Sequence, residues 1–336
     1  MGQVRFATVG TSMITGMFIE GLSQVDEAVY VGSFSRDAEK AEAYTKEHGG
    51  ERAFTSIDEV ACAHDVDAVY VASPNALHHD QAVTFVKAGK HVLVEKSMCS
   101  NRREAADLFH WAENSEVVAM EAMRSVHDPS MAAIREALPK LGRVRSVCLR
   151  FGKRSSRYDD VLAGRHTNIF DPNMATGALM DLGVYCVEPL IELFGIPSDT
   201  RCFSSLLNDE IDLCGAILAD YDDMVAEIAY SKITNDLMCS QVEGELGTMT
   251  IDHISGPRHV TIAYLDGTVE DLDIVAEDIS HPDYENNMAY EIRDFCSAVS
   301  GTLDISHFQR LTLASLAVQD EARYQCGIQF PADEQE

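Results

Sequence analysis

Residues Phe6 to Phe18 read FATVGTSMITGMF. The apolar run Val4 to Val9 ends on Gly10. Thr11-Ser12-Met13-Ile14-Thr15 follows, and Met13 to Leu22 has helical spacing. A strand, a glycine turn and a helix are the opening of a dinucleotide-binding unit, whose usual fingerprint is G-x-G-x-x-G/A. Here the three slots hold Gly10, Ser12 and Thr15. Gly10 permits the tight turn. Ser12 has a small side chain whose hydroxyl can donate to a phosphate, whereas Thr15 is larger than the usual residue at the strand–helix contact. The helix N-terminus offers backbone N–H groups and a positive dipole end to an anion. Gly10, Thr11, Ser12, Met13 and Ile14 are therefore candidates to hold a pyrophosphate. Taken alone, the segment also reads as a plain structural turn.

Working outward, the first third alternates strand and helix. Val4–Val9, Ala28–Phe34, Val66–Ala72, His91–Glu95 and Val117–Ala122 read as strands. Met13–Leu22, Asp37–Glu47, Ile57–Cys62, Ala76–Ala88 and Arg102–Asn114 read as helices between them. That pattern implies a doubly wound parallel sheet, whose ligand sits at the carboxyl ends of the strands near the switch point. After about Arg124 the pattern changes. Arg143–Phe151, Cys202–Leu207, Asp212–Ala219, Met224–Ser231, Gly247–Ile251, Val260–Leu265 and Thr268–Ile274 read as strands, most joined only by turns. Such a run suggests a largely antiparallel sheet. Asp283–Val299 and Ser306–Tyr324 read as closing helices. The expected class is α/β: a Rossmann domain over residues 1–123, then an α+β domain over 124–336 with a large, open, mostly antiparallel sheet.

Composition narrows the partners. At 336 residues the chain suits two domains, and no apolar run approaches a membrane span. The formal net charge of −29 argues against nucleic acid and against anionic membrane surfaces. The nine cysteines are scattered without a C-x-x-C, as fits free thiols in a reducing cytoplasm. No basic, cleavable leader opens the sequence, so a cytoplasmic location is expected. His78-His79-Asp80 hints at a metal, but adjacent helical residues point apart and no second ligand cluster accompanies them; no metal is expected.

The loops after the strands carry the chemistry. The second strand ends in Ser35-Arg36, where an acidic residue would select NAD. A hydroxyl and a guanidinium suit the 2′-phosphate of NADP, so NADP is favoured over NAD. Alternatively, Ser35-Arg36-Asp37 only caps the next helix. Ser73-Pro74-Asn75 follows the third strand, with Asn75 as a natural helix cap. Glu95 and Lys96 end an apolar strand and are read as pointing into the same crevice; a surface lysine is the alternative. In GALMDLGVY, Asp181 and Tyr185 lie four residues apart and share a face if the segment is helical from about Met180. A tyrosine titrates near ~10 and needs a neighbouring cation to act as an acid/base near neutrality. Lys96 is the obvious cation.

Together these segments resemble the glucose-fructose oxidoreductase / inositol dehydrogenase / MocA family of NAD(P)-dependent oxidoreductases. The likeness rests on the Gly10 turn, SPNALHHDQA from Ser73, VLVEKS from Val92, MEAMRSVHDP from Met120 and GALMDLGVY from Gly177, and it spans nearly the whole chain. The family's Glu-Lys-Pro motif falls on Glu95-Lys96, with Ser97 in place of Pro. Its Asp-x-Gly-x-His motif falls on Asp181, Gly183 and Tyr185, and the Tyr is similar to the xylose and dihydrodiol dehydrogenase branch. The resemblance implies catalysis by Lys96, Tyr185 and Asp181 on a sugar, polyol or related cyclic alcohol. It also implies cofactor contacts from Ser73, Pro74, Asn75, His78, Glu95, Lys96 and Arg124, with Arg124 and His127 as pocket candidates. A homodimer or higher homo-oligomer through the open sheet is implied as well. A catalytically silent NAD(P)-binding sensor is the competing class, motivated by Ser12, Thr15 and Ser97. Redox-assisted glycoside cleavage would use the same cofactor chemistry.

Overall fold

A computed structural model gives the fold, and residues 2–272 and 287–334 are described. The chain opens with β1 (Val4–Val9), α1 (Met13–Leu22), β2 (Ala28–Phe34), α2 (Ala38–Glu47), α3 (Ile57–Ala61), β3 (Ala68–Val71), α4 (His78–Lys87), β4 (His91–Glu95), α5 (Arg102–Asn114) and β5 (Ala119–Ala122). The five strands form one parallel sheet in the order β2-β1-β3-β4-β5. Strand order reverses between β1 and β3, so the ligand crevice of this fold class opens beyond their carboxyl ends. β3 and β5 begin two residues later than the apolar pattern suggests. Val66 N–H still bonds Ala63 O, and Val117 N–H bonds Ala112 O in the turn that ends α5.

Next come α6 (Arg124–His127), α7 (Pro129–Ala137), β6 (Val144–Gly152), α8 (Tyr158–Leu162), α9 (Val184–Phe194), β7 (Asp199–Leu207), β8 (Ile211–Tyr221), β9 (Met224–Ser231), β10 (Ser240–Gly244), β11 (Gly247–Ile251), β12 (Val260–Tyr264) and β13 (Val269–Asp271). These strands form a second sheet in the order β13-β12-β11-β10-β6-β9-β8-β7. All its neighbours pair antiparallel except β6 and β9, which run parallel. α10 (Met288–Val299) and α11 (Ser306–Cys326) follow. The strand expected at Thr268–Ile274 and the helix expected at Asp283–Val299 are each found in part. Their remainders, within residues 273–286, lie outside the described residues.

The chain divides into two compact units. One comprises Met1–Arg124 with Glu285–Leu313, the other Ser125–Tyr284 with Ala314–Glu336. The stretch Glu285–Leu313, expected in the second domain, thus belongs to the first unit. The reason is apolar packing. Phe295 of α10 meets Phe6 of β1 at 5.5 Å between ring centroids, and Phe6 meets Phe18 at 5.6 Å. Phe18 in turn stacks on Tyr70 of β3 at 3.8 Å. All four rings are fully buried, each worth about 1.5–3 kcal/mol. Gly21 of α1 lets α10 approach, since a Cβ there would lie 3.2 Å from Ala289 N.

In the second unit, β9 alternates buried and accessible residues. α9 packs against β6 and β9. On the opposite face of the sheet, Phe203, Leu218 and Val225 are 79%, 49% and 54% exposed. The β7–β8 and β8–β9 registers put these three side chains on the same side.

Candidate functional site

Gly10 ends β1 with φ +120°, and a Cβ there would lie 2.7 Å from Ala72 O. Glycine is therefore required twice, by the backbone and by the close approach of the β3 end. The departures from the fingerprint are accommodated. Thr15 is fully buried, and its hydroxyl lies 3.3 Å from that of Ser12. Ser12 is the N-cap residue of α1, but its side chain does not bond the helix backbone. The first-turn N–H groups of α1 have no acceptor within the helix. Ser12 and Met13 are exposed there, with Thr11 and Ile14 partly so.

At the end of β2, Asp37 caps α2 by accepting from Lys40 N at 3.1 Å, and Ser35 Oγ accepts from Asp37 N at 3.2 Å. Arg36 is exposed and takes no part in the cap. The cap reading thus holds for Asp37, with Ser35 bracing the same turn, while the Arg36 side chain is not used by the cap.

After β3, Asn75 does not cap a helix. It opens a 3₁₀ turn, Asn75–Leu77, closed by Leu77 N–H on Pro74 O at 2.9 Å, and α4 starts only at His78. His78 is fully buried. Its Nε2 lies 2.7 Å from Ser73 O and its Nδ1 3.3 Å from Ser97 O. Burial pushes its pKa down to about 4, and nearby Lys96 pushes the same way, so the ring is neutral at pH 7. The shorter contact is then an Nε2–H donating to Ser73 O. His78 ties the loop after β3 to the loop after β4, an inward role rather than the cofactor contact read from the motif.

Glu95 also differs from its sequence reading. It is buried and turns inward, where the Tyr70 hydroxyl donates to it. Burial raises its pKa, against the opposing pull of Lys96, Tyr70 and Arg124. Lys96 is partly exposed. Two further buried carboxylates, unmarked in the sequence reading, belong to this neighbourhood. Glu121 of β5 accepts from Met98 N at 2.8 Å, and burial pushes its pKa up to about 7. Glu291 of α10 is fully buried, neither carboxyl oxygen has a hydrogen-bond partner among the described residues, and burial pushes it well above the carboxylate range. Arg124 partly offsets the rise at both Glu95 and Glu291.

In the second unit, Asp181 and Tyr185 are not on one regular α-helix. Leu179–Gly183 is a π-helical turn, and Tyr185 lies in the first turn of α9. The turn is fastened from β8: Leu179 N–H donates to Asp212 at 2.6 Å, and Gly177 makes room for that carboxylate. With φ +116° and a would-be Cβ 2.2 Å from Asp212 Oδ1, position 177 admits only glycine. Asp212 is buried and its pKa is pushed up to about 6, with the backbone N–H groups of Leu179 and Ala178 opposing the rise. Asp181 forms an ion pair with Lys232, which the sequence reading missed. Tyr185 is 5% exposed and meets Phe151 edge-on at 5.4 Å. His166 is exposed and lies 2.9 Å from Asp171.

This segment carries a partly exposed carboxylate and a buried phenol, both groups able to exchange protons. The Gly10 cradle and the open end of α1 are features of a dinucleotide-binding unit, and Arg36 is exposed at the end of β2. Among the described residues, no helix is long and apolar enough to cross a membrane, and no group of three His, Cys, Asp or Glu side chains is placed to hold a metal ion.

Comparison with known proteins bears on the family and the fold. The profile of GFO_IDH_MocA, an oxidoreductase family with an NAD-binding Rossmann fold, matches residues 4–123. The chain is 36% identical over 334 residues to scyllo-inositol 2-dehydrogenase (NADP(+)) IolU of Bacillus subtilis (strain 168), covering 98% of this chain and 99% of that protein. It is 26% identical over 341 residues to trans-1,2-dihydrobenzene-1,2-diol dehydrogenase of Mus musculus, covering 98% and 99%. The crystal structure of KijD10, a 3-ketoreductase from Actinomadura kijaniata in complex with NADP and TDP-benzene, shares the fold. It has a TM-score of 0.84 at 22% identity, covering 96% of this chain and 98% of that one. The chain belongs to the Gfo/Idh/MocA family of NAD(P)-dependent oxidoreductases.

Proposed function

We propose that the protein oxidises a secondary alcohol of a sugar, polyol or related cyclic alcohol, or reduces the matching ketone, with NADP(H) preferred. The observation that carries this reading is the Asp181–Tyr185 turn, fastened by Asp212 and ending in a phenol at the start of α9. Bound NADP(H) supplies the hydride acceptor or donor. Tyr185 Oη takes the proton of the substrate hydroxyl in the oxidative direction and returns it in the reductive one. Lys96 acts with Tyr185 by stabilising phenolate and alkoxide character, which a cation does best where water is thinned out. Asp181 binds the substrate hydroxyls. Gly10, Thr11, Ser12, Met13 and Ile14 hold the pyrophosphate, and Ser35 and Arg36 the 2′-phosphate. Ser73, Pro74 and Asn75 bound the same crevice. His78 and Glu95 support it from within, and Arg124 sets the charge beside Glu95.

The NADP preference rests on Arg36 and is in keeping with IolU, whose name specifies NADP(+). A cytoplasmic homodimer formed through the open sheet face completes the reading. The experiment is a screen of NADP+ and NAD+ reduction against sugars, polyols and dihydrodiols, with cofactor affinity measured in parallel. Turnover of at least one alcohol class is expected. Tight cofactor binding with no turnover across the panel would favour the silent sensor instead.

A further inference from the structure

Lys232 is a buried cation that the reaction above leaves unused. It directly follows β9, and its backbone is fixed on both sides. Its N–H donates to Leu213 O at 2.9 Å, and its carbonyl accepts from Ser155 N at 2.9 Å. Only 6% of its side chain is exposed. An ammonium so placed has lost most of its hydration and persists only against a partner. Its Nζ donates to Asp181 Oδ2, and the Phe170 ring centroid lies 5.9 Å away.

The pair is lopsided. The cation is inside, while the Asp181 side chain is 39% exposed. An ion pair kept only for stability gains little from this arrangement, because the buried partner bears the desolvation cost and the exposed partner is screened. The arrangement does serve orientation. A charge-assisted hydrogen bond from a rigid, buried donor fixes a short side chain more firmly than solvent contacts do. The backbone of Asp181 is already held, because the π-helical turn is fastened at Leu179 by Asp212. Lys232 adds a constraint on the carboxylate itself.

We propose that Lys232 is the positioning residue for Asp181: by gripping one carboxylate oxygen from the interior, it sets the direction in which Asp181 meets a substrate hydroxyl. The inference deepens the functional reading above and rests on its assignment of Asp181 to substrate binding. With 6% of its side chain exposed, Lys232 acts through Asp181 in this proposal rather than on the substrate itself.

The test uses the full chain and two readouts. The first is melting temperature for Asp181→Ala, Lys232→Met and the double variant. Asp181→Ala takes the bonded carboxylate from a buried ammonium and leaves it only the more distant charge of Asp212, whereas Lys232→Met leaves a carboxylate that water can reach. Asp181→Ala should therefore melt lower than Lys232→Met, and adding Lys232→Met to it should recover part of the loss. The opposite order, or no recovery, overturns the pairing whatever the reaction is. The second readout is steady-state kinetics on an alcohol that the wild type oxidises. Lys232→Met should raise KM for the alcohol at least ~10-fold, the scale of one charge-assisted hydrogen bond. NADP affinity should not change, and Lys232→Arg should recover part of the loss. An unchanged KM in a folded Lys232→Met protein overturns the positioning role. If Lys232→Met does not fold, Lys232→Gln carries the same comparison, since it keeps a donor without the charge. A wild type that binds cofactor but oxidises no alcohol sinks the functional reading and the positioning role together, while the melting series still decides the pair.

Discussion

Replacing Glu121 by Gln should stabilise the protein, and only above a definite pH. Glu121 sits in the buried run of β5 and accepts a hydrogen bond from Met98 N. Its pKa rises from an ordinary 4.5 to about 7, chiefly through burial, with nearby Glu95 adding to the rise and Lys96 opposing it. Between those two values the folded chain keeps a proton that the unfolded chain has lost. The stability contribution is therefore fully present below about pH 4.5 and is lost as pH rises through about 7. At ~1.4 kcal/mol per tenfold change, the loss is on the order of 3 kcal/mol. Gln keeps an oxygen for Met98 N–H and cannot ionise. By the usual scaling for a domain of this size, Glu121→Gln should raise Tm by up to roughly 6–12 °C near pH 8 and by little near pH 4.5. Thermal melts of both proteins across that range decide it. An equal gain at both ends, or a loss near pH 8, would refute the claim that burial of the carboxylate governs this site.

Two further outcomes follow from the same geometry. Arg36→Ala should weaken NADP far more than NAD, as read by fluorescence titration, because Arg36 is exposed at the β2 end while Asp37 alone caps α2; equal losses would remove it from the 2′-phosphate site. Phe203→Lys should convert a dimer to monomer by light scattering, since Phe203, Leu218 and Val225 form an apolar face on β7–β9. A wild-type monomer at micromolar concentration would rule out the sheet face as an interface.

Much of the fold is legible because the local signals agree. β1, α1, β2, β4, α5, β9 and β11 fall on the bounds that the apolar pattern and the turn residues set. α6 and α7 escape that reading, although Asp128-Pro129 is a sound helix start: Asp128 caps Ser130 N, and Pro129 occupies the first turn. β10, reading SQVEG, is too short and polar to announce itself and exists because β6 and β11 flank it. The parallel β6–β9 pair is a product of chain return that no local pattern encodes.

The site divides in the same way. Gly10 and Gly177 are legible as turn glycines, but only the structure gives the second reason for each, the crowding by Ala72 O and by Asp212. Thr15 looked oversized for its slot and is instead fully buried beside the Ser12 hydroxyl. Glu121 and Glu291 could have been noticed, because an acidic residue inside an apolar run must be compensated or neutral. Lys232 could not. It follows a strand in YSKITND and reads as an ordinary loop lysine, and its partner Asp181 is remote in sequence.

The central claim, that Tyr185 and Lys96 act as one proton-transfer unit, is tested most directly by Tyr185→Phe, Lys96→Met and the double variant on one verified alcohol. Tyr185→Phe removes the proton acceptor and keeps the ring that meets Phe151, so NADP binding should survive. Positioned acid/base catalysis contributes ~10²–10⁴-fold, and each single change should lower kcat on that scale. The double variant should be only slightly slower than the slower single, because groups that act together are not additive. Near-normal turnover by Tyr185→Phe, or fully multiplicative losses in the double variant, would contradict the account and move the proton transfer to another group, with His166 or His127 next in line.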